Sequence, residues 1–153
     1  MRAAKAGEWL HVVATRPVRV GGTVLILDGE EMHRPSRHSI QLDERTHIEV
    51  TGDLPLEELM LAHPWRFTNH SCDPNTRLVG RALVALRPVR AGDEITYNYN
   101  TSEWELAEPF ECRCGSPDCE RQIRGFKYLG AQERERIRPL LAPHLVRRLG
   151  ERA

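Results

Sequence analysis

The sequence predicts a mostly β domain with short helices, closed by a helical tail. Three observations carry that prediction. Short apolar runs of strand length are broken at close intervals by Pro and Gly. One eleven-residue pattern occurs twice, and sustained helical character is confined to residues 130–149. At 153 residues, 40% of them hydrophobic and 29% charged, the chain is long enough to bury one core and has an ordinary globular composition.

The repeated pattern is A-x-R-P-V-R-x-G-x-x-[V/I], in ATRPVRVGGTV (14–24) and again in ALRPVRAGDEI (85–95). Each copy reads as a strand halted by proline, a glycine turn and a second strand, which places strands near 10–14, 23–27, 83–86 and 94–97. Two copies about seventy residues apart do not make a solenoid. HSIQL (38–42) and THIEV (46–50) add a pair turned on Asp43-Glu44-Arg45. DLPLEELMLA (53–62) predicts a short helix capped by Asp53 with Pro55 in its first turn. The 130–149 segment is helical in composition, but Pro139 and Pro143 must split or kink it.

The net charge of zero conceals an asymmetry. Residues 1–120 carry 13 Lys/Arg against 19 Asp/Glu, and residues 121–153 carry nine against three. An acidic body suits a basic partner, and a basic tail can equally fold back upon it. Only Lys5 and Lys127 are lysines, a bias that follows base composition, and no nucleic-acid-binding motif accompanies it. No run approaches the roughly 18 apolar residues of a membrane span. Glu8, His11 and Arg16 interrupt the N-terminal stretch where a signal-peptide core would lie. The expectation is a cytoplasmic protein without membrane contact, whose cysteines are metal ligands or plain thiols rather than disulfides.

Three of the four cysteines, Cys112, Cys114 and Cys119, follow C-x-C-x4-C, with Gly115 and Ser116-Pro117-Asp118 turning the chain between them. Thiolates so spaced can converge on one cation, and a closed structural zinc site needs four ligands. Cys72, alone in RFTNHSCDPN (66–75), is the remaining candidate. As the fourth ligand it would clasp two distant parts of the chain. The alternative is four unrelated thiols in a reducing compartment.

RFTNHSCDPN, GDEITYNY (92–99) and CRCGSPDC (112–119) together resemble, in order, three motifs of the SET-domain methyltransferases, the last being the post-SET zinc motif. VVATRPVRVGGTVL resembles the first hairpin of that family. The resemblance covers roughly residues 8–129, and the chain's small size points to a compact bacterial type. It implies a SET fold of small sheets around a knot-like core over 8–107, a post-SET zinc-binding segment over 108–129 and a helical tail over 130–153. It implies structural Zn2+ on Cys72, Cys112, Cys114 and Cys119. It implies S-adenosyl-L-methionine as cofactor, held by Asn69, His70 and Tyr99, with Arg66 near its carboxylate and Leu10-His11 on the first hairpin beside it. Tyr99 matches the catalytic tyrosine, and Tyr97 the position where tyrosine favours a single methyl. The implied acceptor is a lysine of a basic protein or peptide.

Those residue types suit the chemistry. A lysine amine, with a pKa of about 10.4, must lose a proton before it attacks a sulfonium methyl. A dry aromatic channel favours the neutral amine, and tyrosine hydroxyls orient its lone pair without a carboxylate that would keep it protonated. Taken alone, Tyr97 and Tyr99 read as one face of a half-buried strand, and Asn69-His70 as turn residues. Trp104 reads as a channel-lining or a packing residue. Three departures stand out. Trp9-Leu10-His11 replaces the usual G-x-G, predicting a cofactor pocket narrowed, reshaped or lost there. Asn98 replaces an aspartate, and Glu120-Arg121 replaces Arg-Gly. Two alternatives therefore remain: a SET-fold enzyme acting on a small molecule, and a zinc-stabilised binding module without catalysis.

Overall fold

Frequent Pro and Gly limit this chain to strands of two to five residues, so several small sheets form instead of one large one. The computed structural model describes residues 1–150. In chain order the strands are β1 (Arg2–Ala6), β2 (Trp9–Val13), β3 (Thr23–Ile26), β4 (Glu30–Met32), β5 (Ile40–Gln41) and β6 (His47–Glu49). Helix α1 (Leu56–Ala62) leads to β7 (Asn69–His70), β8 (Thr76–Val79), β9 (Ala82–Ala85) and β10 (Thr96–Tyr97). The C-terminal part holds β11 (Phe110–Glu111), β12 (Gln122–Ile123), α2 (Ala131–Ile137) and α3 (Pro143–Gly150).

β1 and β2 form a hairpin, β3-β9-β8 and β4-β6-β5 form antiparallel sheets, and β11 pairs with β12. The remaining pair is parallel: Thr96 and Tyr97 of β10 lie beside Asn69 and His70 of β7. That pairing carries the later chain alongside the 66–75 loop.

The two copies of the repeated pattern pair with each other. Val18 and Val89 exchange both backbone hydrogen bonds at 2.9 Å. Ala14 N donates to Asp93 O, and Gly92 N to Ala14 O. The same two bonds recur with the copies exchanged, Ala85 N to Gly22 O and Gly21 N to Ala85 O. The repeat is thus a local two-fold contact, which explains why the pattern is present twice and no more.

The main core gathers Val12, Leu27, Ile48, Trp65, Leu83, Val89 and Ile95, all essentially buried. Phe126, Ile137 and Leu145 form a second, smaller cluster under the tail. The basic tail folds back on the acidic body: Arg136 pairs with Glu120, and Arg147 with Asp43 and Glu44. The exposed pairs add little each, whereas Glu120 is buried.

Some elements differ from the sequence reading. α1 begins after Pro55, with no side-chain cap, because Asp53 lies two positions ahead of the N-cap and cannot reach the first free N–H groups. The strand expected over 94–97 is a single bridge at Glu94 to Val13 followed by the two-residue β10. The tail breaks at residues 138–142, where Pro139 sits in a 3₁₀ turn and Pro143 opens α3. Among the described residues no helix is long and apolar enough to cross a membrane.

Candidate active site and metal centre

A cleft of about 900 Å³ is walled by Trp9 and Leu10 of β2, by Arg66 to Ser71, by Tyr97 and Tyr99, and by the segment from Leu106 to Cys114. Its size suits a cofactor and part of a second substrate. The β7–β10 pairing is what puts Asn69-His70 beside the tyrosines. Trp9, 59% exposed, and Leu10 both line the cleft, so it extends along β2 despite their bulk. Leu10 presents its carbonyl to Asn69 Nδ2 at 3.0 Å. His11 does not line the cleft, and its Nδ1 is buried without a hydrogen-bond partner.

Tyr99 sits at the centre of an aromatic group. Its ring centroid is 4.8 Å from Tyr97, 5.2 Å from His70 and 5.9 Å from Phe110. Its hydroxyl donates to Thr68 O at 2.7 Å. Burial raises both phenols well above their ordinary range, and the nearby Glu103 carboxylate adds to the shift, so both keep their protons. His70 Nδ1 accepts from Tyr99 N at 3.1 Å, which places the ring proton on Nε2, 3.3 Å from Cys72 Sγ. Burial pushes His70 down to about 3, so the ring is neutral. Both ring nitrogens of His70 and Nδ2 of Asn69 are thus engaged with protein groups. Arg66 lines the cleft with its Nε on Glu49 at 3.1 Å.

The sulfurs of Cys72, Cys112, Cys114 and Cys119 all lie within 4.8 Å of one another. A tetrahedral site with metal–sulfur bonds of about 2.3 Å needs sulfur separations of about 3.8 Å. The cluster therefore fits a metal ion after small side-chain adjustments. Its chemistry points the same way: burial pushes Cys112 up to about 12, and four crowded thiols cannot all ionise without a cation among them. Glu120 N, 3.5 Å from Cys72 Sγ, and His70 supply donors around the cluster.

The SET-domain family model matches residues 9–100. The chain belongs to the SET-domain family. It is 32% identical over 114 residues to the histone-lysine N-methyltransferase ash1 of Drosophila melanogaster, covering 68% of this chain and 5% of that protein. It is 31% identical over 111 residues to the methyltransferase flvH of Aspergillus flavus, covering 70% of this chain and 55% of that protein. The SET chain thus spans a small part of one relative and about half of the other. A crystal structure of KRYPTONITE in complex with mCHG DNA and SAH shares the fold, with a TM-score of 0.55 and 20% identity over 76% of this chain and 27% of that one.

Within this SET fold, the segment after the last cysteine is built differently from the Arg-Gly pattern. Arg121 adopts φ of 62°, the left-handed region in which glycine is unstrained. Glu120 reaches to Arg136 on α2 and accepts from the Asn100 amide, so it fastens both the tail and the turn after Tyr99 to the post-SET segment. Gly125 completes the junction. A Cβ there would come within 2.6 Å of Trp104 O and 2.7 Å of Glu105 Cα, at φ of 110°. Gly125→Ala is expected to lower stability by about 2 kcal/mol or more, read from the denaturant midpoint at constant m. An unchanged midpoint would show that this contact is not needed.

Two cleft residues were not assigned roles in the sequence. Phe110 escaped notice because a lone aromatic ahead of a cysteine carries no motif. Glu103 was read only collectively, with Glu105, Glu108 and Glu111, as acidic residues near the expected channel that suit a basic peptide; in the structure it is 3% exposed and lines the cleft. Its Oε1 accepts from Gln41 N at 2.7 Å and Ser102 Oγ at 3.3 Å. Burial pushes it up to about 7 against those bonds. Trp104 packs against Phe126 with the Arg148 guanidinium over its ring, off the cleft.

Proposed function

We propose that the protein is an S-adenosyl-L-methionine-dependent methyltransferase whose acceptor is a lysine ε-amine in a basic peptide or protein. The observation that carries this reading is the cleft itself, where Asn69-His70, Tyr97 and Tyr99 meet beside the four-cysteine cluster. The cofactor would supply a methyl group on a sulfonium and leave as a thioether. Asn69, His70 and Leu10 would hold it along the β2 and β7 walls, with Arg66 toward its carboxylate. Tyr97, Tyr99 and Phe110 exclude water from the meeting point, which favours a neutral amine. Alignment between cofactor and acceptor then supplies most of the acceleration.

A structural Zn2+ on the four cysteines would hold the Phe110 wall against the tyrosines. The acceptor class rests on the acidic excess of residues 1–120 and on resemblance to histone-lysine methyltransferases. Four unpaired cysteines suit a cytoplasmic setting.

Isothermal titration of the zinc-loaded protein with S-adenosylmethionine, followed by methyl transfer to basic proteins and to small amines, tests this. Saturable cofactor binding and transfer to lysine are expected. A folded, metal-loaded protein that gives no binding heat and no methylated product would overturn it, and transfer confined to small amines would move the acceptor class.

A further inference from the structure

Glu103 is a buried acid that takes part in no ion pair among the described residues. Its hydrogen-bond partners, Gln41 N–H and the Ser102 hydroxyl, are both neutral and both meet Oε1. A buried carboxylate without a cation is costly, and removing it would let the site close over apolar groups. Here it is kept in the wall of the cleft together with Tyr97 and Tyr99, its own N–H bonded to Tyr99 O at 2.8 Å. The proposed reaction would bring two cations into this space, the cofactor's sulfonium and the acceptor's ammonium.

We propose that Glu103 is the proton acceptor of the transfer, taking a proton from the incoming alkylammonium beside Tyr97 and Tyr99. The inference rests on the reading of the protein as an amine methyltransferase. The ammonium N–H bond breaks, its electron pair stays on nitrogen, and the proton passes to the Glu103 carboxylate. The nitrogen pair then forms the N–CH3 bond as the C–S bond breaks and its electrons return to sulfur. The products are a methylated ammonium, a thioether and a protonated Glu103, which releases its proton to solvent through the cleft. Proton transfer before methyl transfer also removes one of two positive charges that would otherwise face each other.

The energetics are compatible. Burial brings the carboxyl up to about 7, and the same dry setting brings an amine down from about 10.4. The elements packed around Glu103 present Tyr97 and Tyr99, His47 on β6 beside Gln41, and His144 on α3, whose Nε2 meets Ser102 O at 2.7 Å. His70 and Glu94 lie beyond Tyr99. Those three histidines are held neutral by burial, so they do not supply the missing cation.

Two measurements decide the matter. In the intact zinc-loaded protein with 13C-labelled glutamate, the Glu103 carboxyl, assigned with Glu103→Gln, is expected to titrate near 7. A midpoint below about 5, as for an exposed glutamate, overturns the proposal. In single-turnover transfer, Glu103→Gln is expected to lose about 10²–10³-fold at neutral pH and to recover tenfold per pH unit toward alkaline pH, where free amine is supplied by solvent. Glu103→Asp, which keeps the carboxylate, is expected to retain the parent's pH profile at reduced rate. Cofactor affinity of Glu103→Gln should match that of the parent. If the parent is active and Glu103→Gln shares its rate and profile, this proposal alone fails. If the parent binds cofactor yet methylates no amine, the functional reading fails and takes this one with it. Should Glu103→Gln not fold, the titration of the parent, assigned with Glu103→Asp, decides.

Discussion

Tyr99→Phe is expected to lower the rate of methyl transfer by about 10²–10³-fold. The phenol donates its hydrogen to Thr68 O at 2.7 Å, so the oxygen lone pairs are what it can offer to an amine in the cleft. Because the phenol stays protonated, the hydroxyl acts through its fixed position and dipole, without taking the proton itself. Phenylalanine keeps the ring contacts to Tyr97, His70 and Phe110 and loses only that oxygen. Stability should fall by about 1 kcal/mol, the cost of leaving the Thr68 carbonyl without its partner. Single-turnover rates at saturating cofactor, with the cofactor dissociation constant measured separately, isolate the effect. A rate within about tenfold of the parent's, at unchanged cofactor affinity, removes Tyr99 from the chemistry.

Stripping the metal is expected to have the larger effect on structure. Apparent zinc-binding free energies in small Cys-ligated modules are about 10–16 kcal/mol, comparable with the whole net stability of a domain. Here the four sulfurs come from the 66–75 loop and from the far end of the chain, so an ion held by them would fasten the Phe110 wall to the tyrosines. A thiol-competent chelator should abolish transfer and release hydrogen-exchange protection across β11 and β12. Reloading should restore both, with protons liberated as thiols become thiolates. Elemental analysis should find one zinc per chain. Undiminished activity in a chelator that holds all the zinc would show that the clasp is dispensable.

The four-cysteine cluster and the tyrosine motif were legible because their chemistry demands particular residue types at particular spacings. Four sulfurs needed a meeting point, and the structure brings all four together. The repeated pattern was visible as text, but its meaning was not. A strand that pairs with its own copy about seventy residues away leaves no local signal of the partner. β1, β4 and β8 were missed for a related reason, since RAAKA, EEM and TRLV are too polar or too short to show alternation and are held by cross-strand pairing. Glu103 was hidden by composition: one glutamate among many looks solvated until folding buries it. Leu10 lines the cleft whereas His11, one position on, does not, and the sequence alone carries no signal of which β2 side chains turn toward it.

The parallel seam between β7 and β10 sets a timetable for biosynthesis. A nascent chain that has emerged only as far as Tyr99 holds the loop and the strand that must lie beside it, but nothing to latch them. The latch arrives with Cys112 to Cys119, after which Gly125, Glu120 and the tail seat themselves on the turn just past Tyr99. If the cluster takes up zinc, newly made protein should complete its cleft late and in one step, and a cell short of the ion would accumulate chains whose cleft is not fastened.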